Sequence, residues 1–279
     1  MRGSEPMAAP LSLRAPAATP RLPRLAGTIR QPLLGAVAVA LFLLSWWGAT
    51  ASGLVARLFL PSPVEVAQAT WRLLGSGQLV AAILASSARV FAGFAIAALI
   101  AVPLGIAMAV CGPVRAVLTP FISLLRPLPS ITWIPLTILW LGIGETQKVA
   151  IVILGCWIYI LLATHEATRR VDPLLVRAAR NLGAGDLTVM REVILPAALP
   201  GILAGLKVTL AIAWSCVLSA EMVAAHNGLG AMIWEGKDWG DMTQVLVGMV
   251  AISLTVLLAD LVATRLERAL LPWERHRRH

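Results

Sequence analysis

Residues 169–201 read RRVDPLLVRAARNLGAGDLTVMREVILPAALPG, a polar-rich interval set between two strongly apolar runs. Alone it would pass for the surface loop of a soluble domain, but the rest of the chain is not soluble in character. The 279 residues are 58% hydrophobic and 13% charged, with a mean hydropathy of +0.82. Globular domains carry about 25% charged and about 45–50% apolar residues. Membrane spans therefore dominate the chain, and the interval becomes an aqueous loop whose contents report on function.

Working outward, the apolar runs predict six spans. Residues 1–30, rich in Pro, Ala and Arg without a helical or strand period, read as a disordered basic tail. Gln31–Ala56 carries no charge and is long enough for the first span. Ala49-Thr50-Ala51 resembles a signal-peptidase site, but the apolar run before it is longer than an h-region of about 7–15 residues. Val90–Val114 is the second span. Ala116–Trp140, the third, is broken by Arg126, Pro127 and Pro129, which is tolerated at membrane depth only against protein or a water-filled cavity. Val149–Thr164, Pro200–Glu221 and Val245–Thr264 complete a transmembrane domain over residues 31–264, and a basic tail follows at 265–279.

Charge placement orients this arrangement. Arg2, Arg14, Arg21, Arg24, Arg30, Arg115, Arg169, Arg170, Arg177, Arg180, Arg191, Arg265, Arg268, Arg275, Arg277 and Arg278 share one side. Arg57, Arg72, Arg89, Lys148 and Lys237 stand on the other, with Arg126 and Lys207 within spans. The positive-inside rule makes the first side, with both termini, cytoplasmic. The net charge of +9 thus marks a membrane orientation and calls for no nucleic-acid partner. Cys111, Cys156 and Cys216 sit in separate apolar runs without metal or disulfide spacing, and the four histidines read as surface residues without metal spacing.

The opening interval is then the longest cytoplasmic loop, spanning about residues 166–199. Asp172 is placed to cap a helix that starts at Pro173, and Leu174, Leu175, Ala178, Ala179 and Leu182 recur at helical spacing. Gly183 suits a left-handed stop, and a second helix is predicted from about Asp186 to Val193, ending before Pro196. An apolar helical face in a cytoplasmic loop either lies on its own membrane domain or fills a partner's groove.

Arg177-Ala178-Ala179, three residues, Gly183, nine residues, Val193, one residue and Leu195-Pro196 resembles the EAA loop of binding-protein-dependent ABC importer permeases. That family's pattern is E-A-A, three residues, Gly, nine residues, I-x-L-P; Arg177 and Val193 depart from it. The segments SSARVFAGFAIAALIAVPLGIAMAV, RPLPSITWIPLTILWLGIGE and GLKVTLAIAWSCVLSAEMVAAHNGLGAMI resemble the nitrate, sulfonate and taurine branch, and the likeness extends from about Phe59 to Thr264.

The resemblance implies an all-α inner-membrane permease of the type I importer fold, not itself an enzyme. Its coupling residues would be Arg177, Ala178, Ala179, Asn181, Leu182, Gly183, Ala184, Leu195 and Pro196. It implies a pair of ABC ATPase subunits that bind ATP and Mg, a second permease copy, surrounding lipid, and an external binding protein that delivers a sulfonate, taurine or nitrate-class anion. The chain has no P-loop of its own: Gly236-Lys237 lacks the following Ser/Thr and the earlier Gly. Arg126 either faces a cavity as an anion-attracting charge or snorkels to the interface. Ser130, Thr132 and Trp133 either line the route or pack between helices. Glu221 is expected to pair with an external N–H or cation, and Asp260 with Arg265 or another base. The competing readings are an ion-coupled secondary transporter, which wants carboxylates near the bilayer midplane, and a membrane enzyme, which wants a His/Asp/Glu or Ser/His cluster at one face.

Overall fold

The computed structural model describes residues 30–53, 55–56, 58–224 and 226–272, where all regular structure is helical. The readings on the basic N-terminal tail, on Arg57 and on the last seven residues lie outside the described residues. Helix α1 (Arg30–Ala51) belongs largely to a unit of its own that ends at Trp46. Its Leu34, Leu41, Phe42 and Leu44 are exposed, as suits a surface meant for hydrocarbon.

The second unit begins with α2 (Pro63–Gly75), which starts where Pro63 cannot donate an N–H and need not. Ser62 and Glu65 close a reciprocal capping box over its first turn. Three long helices follow: α3 (Gln78–Val110), α6 (Glu145–Arg169) and α9 (Leu195–Ala224). Between α3 and α6 the chain folds as α4 (Gly112–Leu125), a 3₁₀ turn (Ser130–Trp133) and α5 (Ile134–Leu141), bent by 92° at the break. Pro127 and Pro129 remove two N–H donors that consecutive helical turns would need. With the bent pair counted as one span, six segments are long and apolar enough to cross a membrane. Helix α10 (Leu229–Asp238) leads into α11 (Met242–Leu270), against which α2 packs.

The core is α6, flanked by α3 and α9. Its Ile151, Val152, Cys156, Ile160 and Leu161 are fully buried, and small residues let the neighbouring backbones close in. A Cβ added at Gly105 of α3 would lie 2.7 Å from the Leu161 carbonyl oxygen, and one at Gly205 of α9 would lie 2.5 Å from the Ala163 Cβ. Gly105→Leu should therefore push α3 off α6 at about 1–3 kcal/mol, read as a lower thermal midpoint in detergent. An unchanged midpoint would refute this packing. Leu99, Ile100, Leu254, Leu257 and Leu258 remain exposed on α3 and α11. Such a surface would promote aggregation in water and matches lipid tails in a bilayer.

Three expectations require correction. The second apolar segment starts at Gln78, not Val90, and stops at Val110, because Cys111 is extended at φ −107° and ψ 108°. The second loop helix does not end before Pro196. It runs as α8 (Asp186–Thr188) into a π-helical stretch (Val189–Ile194) and directly into α9. The Leu195 N–H reaches the Met190 carbonyl five residues back, and Pro196 then falls in the first turn of α9, where its missing N–H is tolerated. His165 is buried at 5% exposure, not at the surface, because it shares the inner face of α6 with Leu161, Thr164 and Thr168.

Candidate functional site

The loop between α6 and α9 folds first around α7 (Pro173–Asn181). Asp172 accepts the Leu174 N–H at 2.8 Å and so caps the helix whose first residue is proline. At the other end Gly183 sits at φ +86°, the Ala184 N–H reaches the Ala179 carbonyl at 3.1 Å and the Gly183 N–H reaches Arg180 at 3.0 Å. This pair of bonds is the Schellman stop, which places its C′ residue in the left-handed region that glycine adopts without strain.

The helix rests on the π-helical stretch, and its Val176 and Ala179 are half-buried. Its other apolar face points away: Leu174 is 62%, Leu175 49% and Leu182 89% exposed, with Ala178 between them. Arg177 and Asn181 are exposed on its flank, and Arg180 pairs with Asp186 across the turn at 3.0 Å. Leu195 is half-buried and Pro196 exposed where α9 begins. The chain's own described residues leave four apolar side chains of the helix and its cap, Leu174, Leu175, Ala178 and Leu182, exposed.

At the opposite end of α6 lies a buried ion cluster. All five N–H groups of Arg89 on α3 are used. Nε and Nη2 grip Glu145 at 2.5 and 2.7 Å, Nη1 meets Glu221 at 2.6 Å and the Asn227 carbonyl at 2.9 Å, and Nη2 also meets Asn227 Oδ1. Lys148 adds a bond to Glu145 at 2.9 Å. The Glu221 side chain is 0% exposed; it also accepts from Ser86 Oγ at 2.8 Å and from the Gly230 N–H at 2.9 Å. Ser86 in turn accepts the Leu229 N–H at 2.9 Å. Two cations face two carboxylates, and the carboxylate of Glu221 sits at the N-terminus of α10, where free N–H groups favour it. The loop can wrap this tightly because Gly228, at φ +120°, has no Cβ; one added there would lie 2.5 Å from the Glu221 carboxyl. Farther along the bundle, Asp260 of α11 pairs with Lys207 of α9 at 3.5 Å, a base other than Arg265.

The third feature is the break in the third span. Arg126, Ser130 and Trp133 line a cavity of about 210 Å³ against α6 and α9. Thr132, expected beside them, is exposed outside that cavity and bonds the Pro129 carbonyl at 2.7 Å.

Residues 101–276 match the family described as binding-protein-dependent transport system inner membrane component. The chain belongs to this family. It is 35% identical to the taurine transport system permease protein TauC of Escherichia coli (strain K12), over 88% of this chain and 90% of that one. It is 34% identical to the putative aliphatic sulfonates transport permease protein SsuC of the same organism, over 82% and 87%. The riboflavin transport system permease protein RibX of Chloroflexus aurantiacus is also 34% identical, over 87% and 91%. In fold, inward-facing structures of the MetNI methionine ABC transporter match 69% of this chain and 95% of theirs, with a TM-score of 0.63 at 24% identity. The chain is thus an inner-membrane permease of the ABC importer type, as the family resemblance implied.

Within this permease the sequence reading anticipated Glu221 with a cation or loop N–H, and the fold supplies both. It missed Ser86, Glu145 and Asn227 as members of one cluster. The available signals were weak: Ser86 lies one helical turn before Arg89, and Asn-Gly follows Glu221 closely enough for a turn to fold back on it.

Proposed function

We propose that this permease forms the translocation path of an ATP-driven importer for a small organic anion of the aliphatic sulfonate or taurine class. Two copies would assemble with two ATPase subunits, and an external binding protein would deliver the cargo. The uncovered apolar face of α7 carries the reading, because burying Leu174, Leu175 and Leu182 in an ATPase groove would gain about 1.5–3 kcal/mol per fully covered side chain. A helix so held moves with the ATPase. ATP and Mg would bind in that partner, and closure of the ATPase pair would be passed as a rigid-body shift into α9, with which the loop is continuous through the π-helical stretch.

The cargo class rests on the taurine and sulfonate relatives. A riboflavin permease relative is similarly distant, so cargo choice would rest on few residues of the permease and on the delivering protein. An ion-coupled carrier is disfavoured because Glu221 of α9 and Asp260 of α11 are already paired with Arg89 and Lys207. The test is affinity purification of the tagged full-length permease in mild detergent, with an ATPase assay on the eluate and uptake of radiolabelled taurine or ethanesulfonate in cells. A co-eluting ATPase with binding-protein-dependent uptake is the expected result. A permease that elutes alone from several detergents while uptake follows an ion gradient would overturn it.

A further inference from the structure

We propose that the cavity at the broken third span is an oxyanion subsite on the substrate's route, with Arg126 as its cation and the hydroxyls of Ser130, Tyr159 and Ser215 as candidate donors. The inference deepens the sulfonate reading and rests on it for the identity of the anion. Among the described residues the Arg126 side chain has no hydrogen-bond or ion-pair partner, although the Lys and Arg within the described span helices away from their ends, Arg89 and Lys207, are each neutralised by a carboxylate. Arg126 is exposed at the break of the third span, where an unpaired guanidinium at membrane depth is costly unless an aqueous cavity or an anion meets it. Here it borders such a cavity, of about 210 Å³, and no carboxylate is among its lining residues.

The wall chemistry suits an amphipathic anion. Tyr159 is 40% exposed and Ser215 is exposed, so their hydroxyls are accessible, while Trp133 offers a flat apolar surface for a short carbon chain. The guanidinium fork and adjacent hydroxyls match the several acceptor oxygens of a sulfonate. The volume lies below the roughly 300–1,000 Å³ of sites for drug-sized ligands, which selects for small cargo. The break creates the site: without Pro127 and Pro129, the third span would run straight and Ser130 would not turn back toward Gly155 of α6, whose missing Cβ leaves room within 3.2 Å of the Ser130 Cβ.

The test is charge-selective labelling of the full-length permease in lipid-supplemented detergent. Ser215→Cys is introduced with Cys111→Ala, since Cys111 is exposed while Cys156 and Cys216 are buried. Modification rates by an anionic sulfonatoethyl and a cationic trimethylammonioethyl methanethiosulfonate are compared after normalisation to a free thiol. A cleft carrying an unpaired cation should favour the anionic reagent by about tenfold. Adding Arg126→Gln should abolish the preference, Arg126→Lys should keep part of it, and ethanesulfonate should slow anionic labelling in the Arg126 protein alone. Tyr159→Cys serves as a second reporter if Ser215→Cys folds poorly. Equal rates for the two reagents, or a preference that survives Arg126→Gln at both reporters, would overturn the subsite and leave Arg126 an interfacial anchor. Labelling needs neither partners nor uptake, so failure of the importer reading, seen as no uptake of ethanesulfonate by wild type, is scored separately.

Discussion

Glu221→Ala should all but eliminate folded permease, whereas Glu145→Ala should destabilise it measurably less. Both carboxylates bind Arg89 at hydrogen-bond distance, so a count of ion pairs would rank them alike. Burial separates them: the side chain of Glu221 is 0% exposed and that of Glu145 is 63% exposed. Removing Glu221 leaves the 4% exposed Arg89 with half its counter-charge gone and strips an acceptor from Ser86 and the Gly230 N–H, none of which water can readily replace. Breaking a buried pair in this way costs about 3–5 kcal/mol. Total stability of a domain is only about 5–15 kcal/mol. At Glu145 solvent reaches the vacated position, so the loss is smaller than at Glu221, but Arg89 at 4% and Lys148 at 5% exposure each lose a partner and the cost exceeds the roughly 0–1 kcal/mol of a fully exposed pair.

Glu221→Gln should fall between them. The amide keeps one oxygen for the loop N–H groups but offers no charge to Arg89. Gly228→Val should resemble Glu221→Ala, since it combines a strained positive φ with a Cβ against the carboxyl. The measurement is the monodisperse yield and thermal midpoint of tagged variants from membranes. Equal losses at Glu221 and Glu145 would show that burial does not govern this cluster.

Why some of this was legible and some was not follows from sequence distance. Asp172, Pro173 and Gly183 act within one or two helical turns, so their cap, start and stop could be read from local chemistry. The apolar runs likewise report their own environment, and a broken third span followed from the two prolines beside Arg126. The Pro196 rule failed because a π turn supplied an alternative bond pattern that spacing alone does not announce. The ion cluster was half visible: a carboxylate at a span end requires a partner, but Ser86 lies 135 residues from Glu221 and Asn227 lies 138 residues from Arg89, and such pairings exist only once α3, α6 and α9 have packed. His165 was misplaced for the same reason, since which face of α6 turns inward depends on its neighbours.

Leu182→Asp and Gly183→Val should both abolish ATP-driven uptake while leaving the permease at wild-type abundance in the membrane, and they should do so by different routes. Leu182 is 89% exposed, so a charge there costs the isolated chain almost nothing. In a groove the same change forfeits about 1.5–3 kcal/mol of apolar burial and adds an unpaired buried charge. At 1.4 kcal/mol per tenfold, ATPase capture should weaken by about a hundredfold or more. Gly183 makes its contribution through conformation. An added Cβ would meet nothing within 4 Å, so a β-branched residue there acts solely through the strain of φ +86°, about 1–2 kcal/mol. Relief of that strain would unwind the Schellman stop and swing α7 away from the π-helical stretch. Capture of the ATPase would then persist in part, but ATP hydrolysis would no longer drive uptake. Gly183→Asn, which tolerates the left-handed region better, should retain more transport than Gly183→Val. The paired readouts are ATPase co-elution and uptake per permease molecule. Full co-elution with Leu182→Asp would mean that the exposed face of α7 is not the docking surface, and equal transport by Gly183→Asn and Gly183→Val would mean that the left-handed stop is not what transmits the motion.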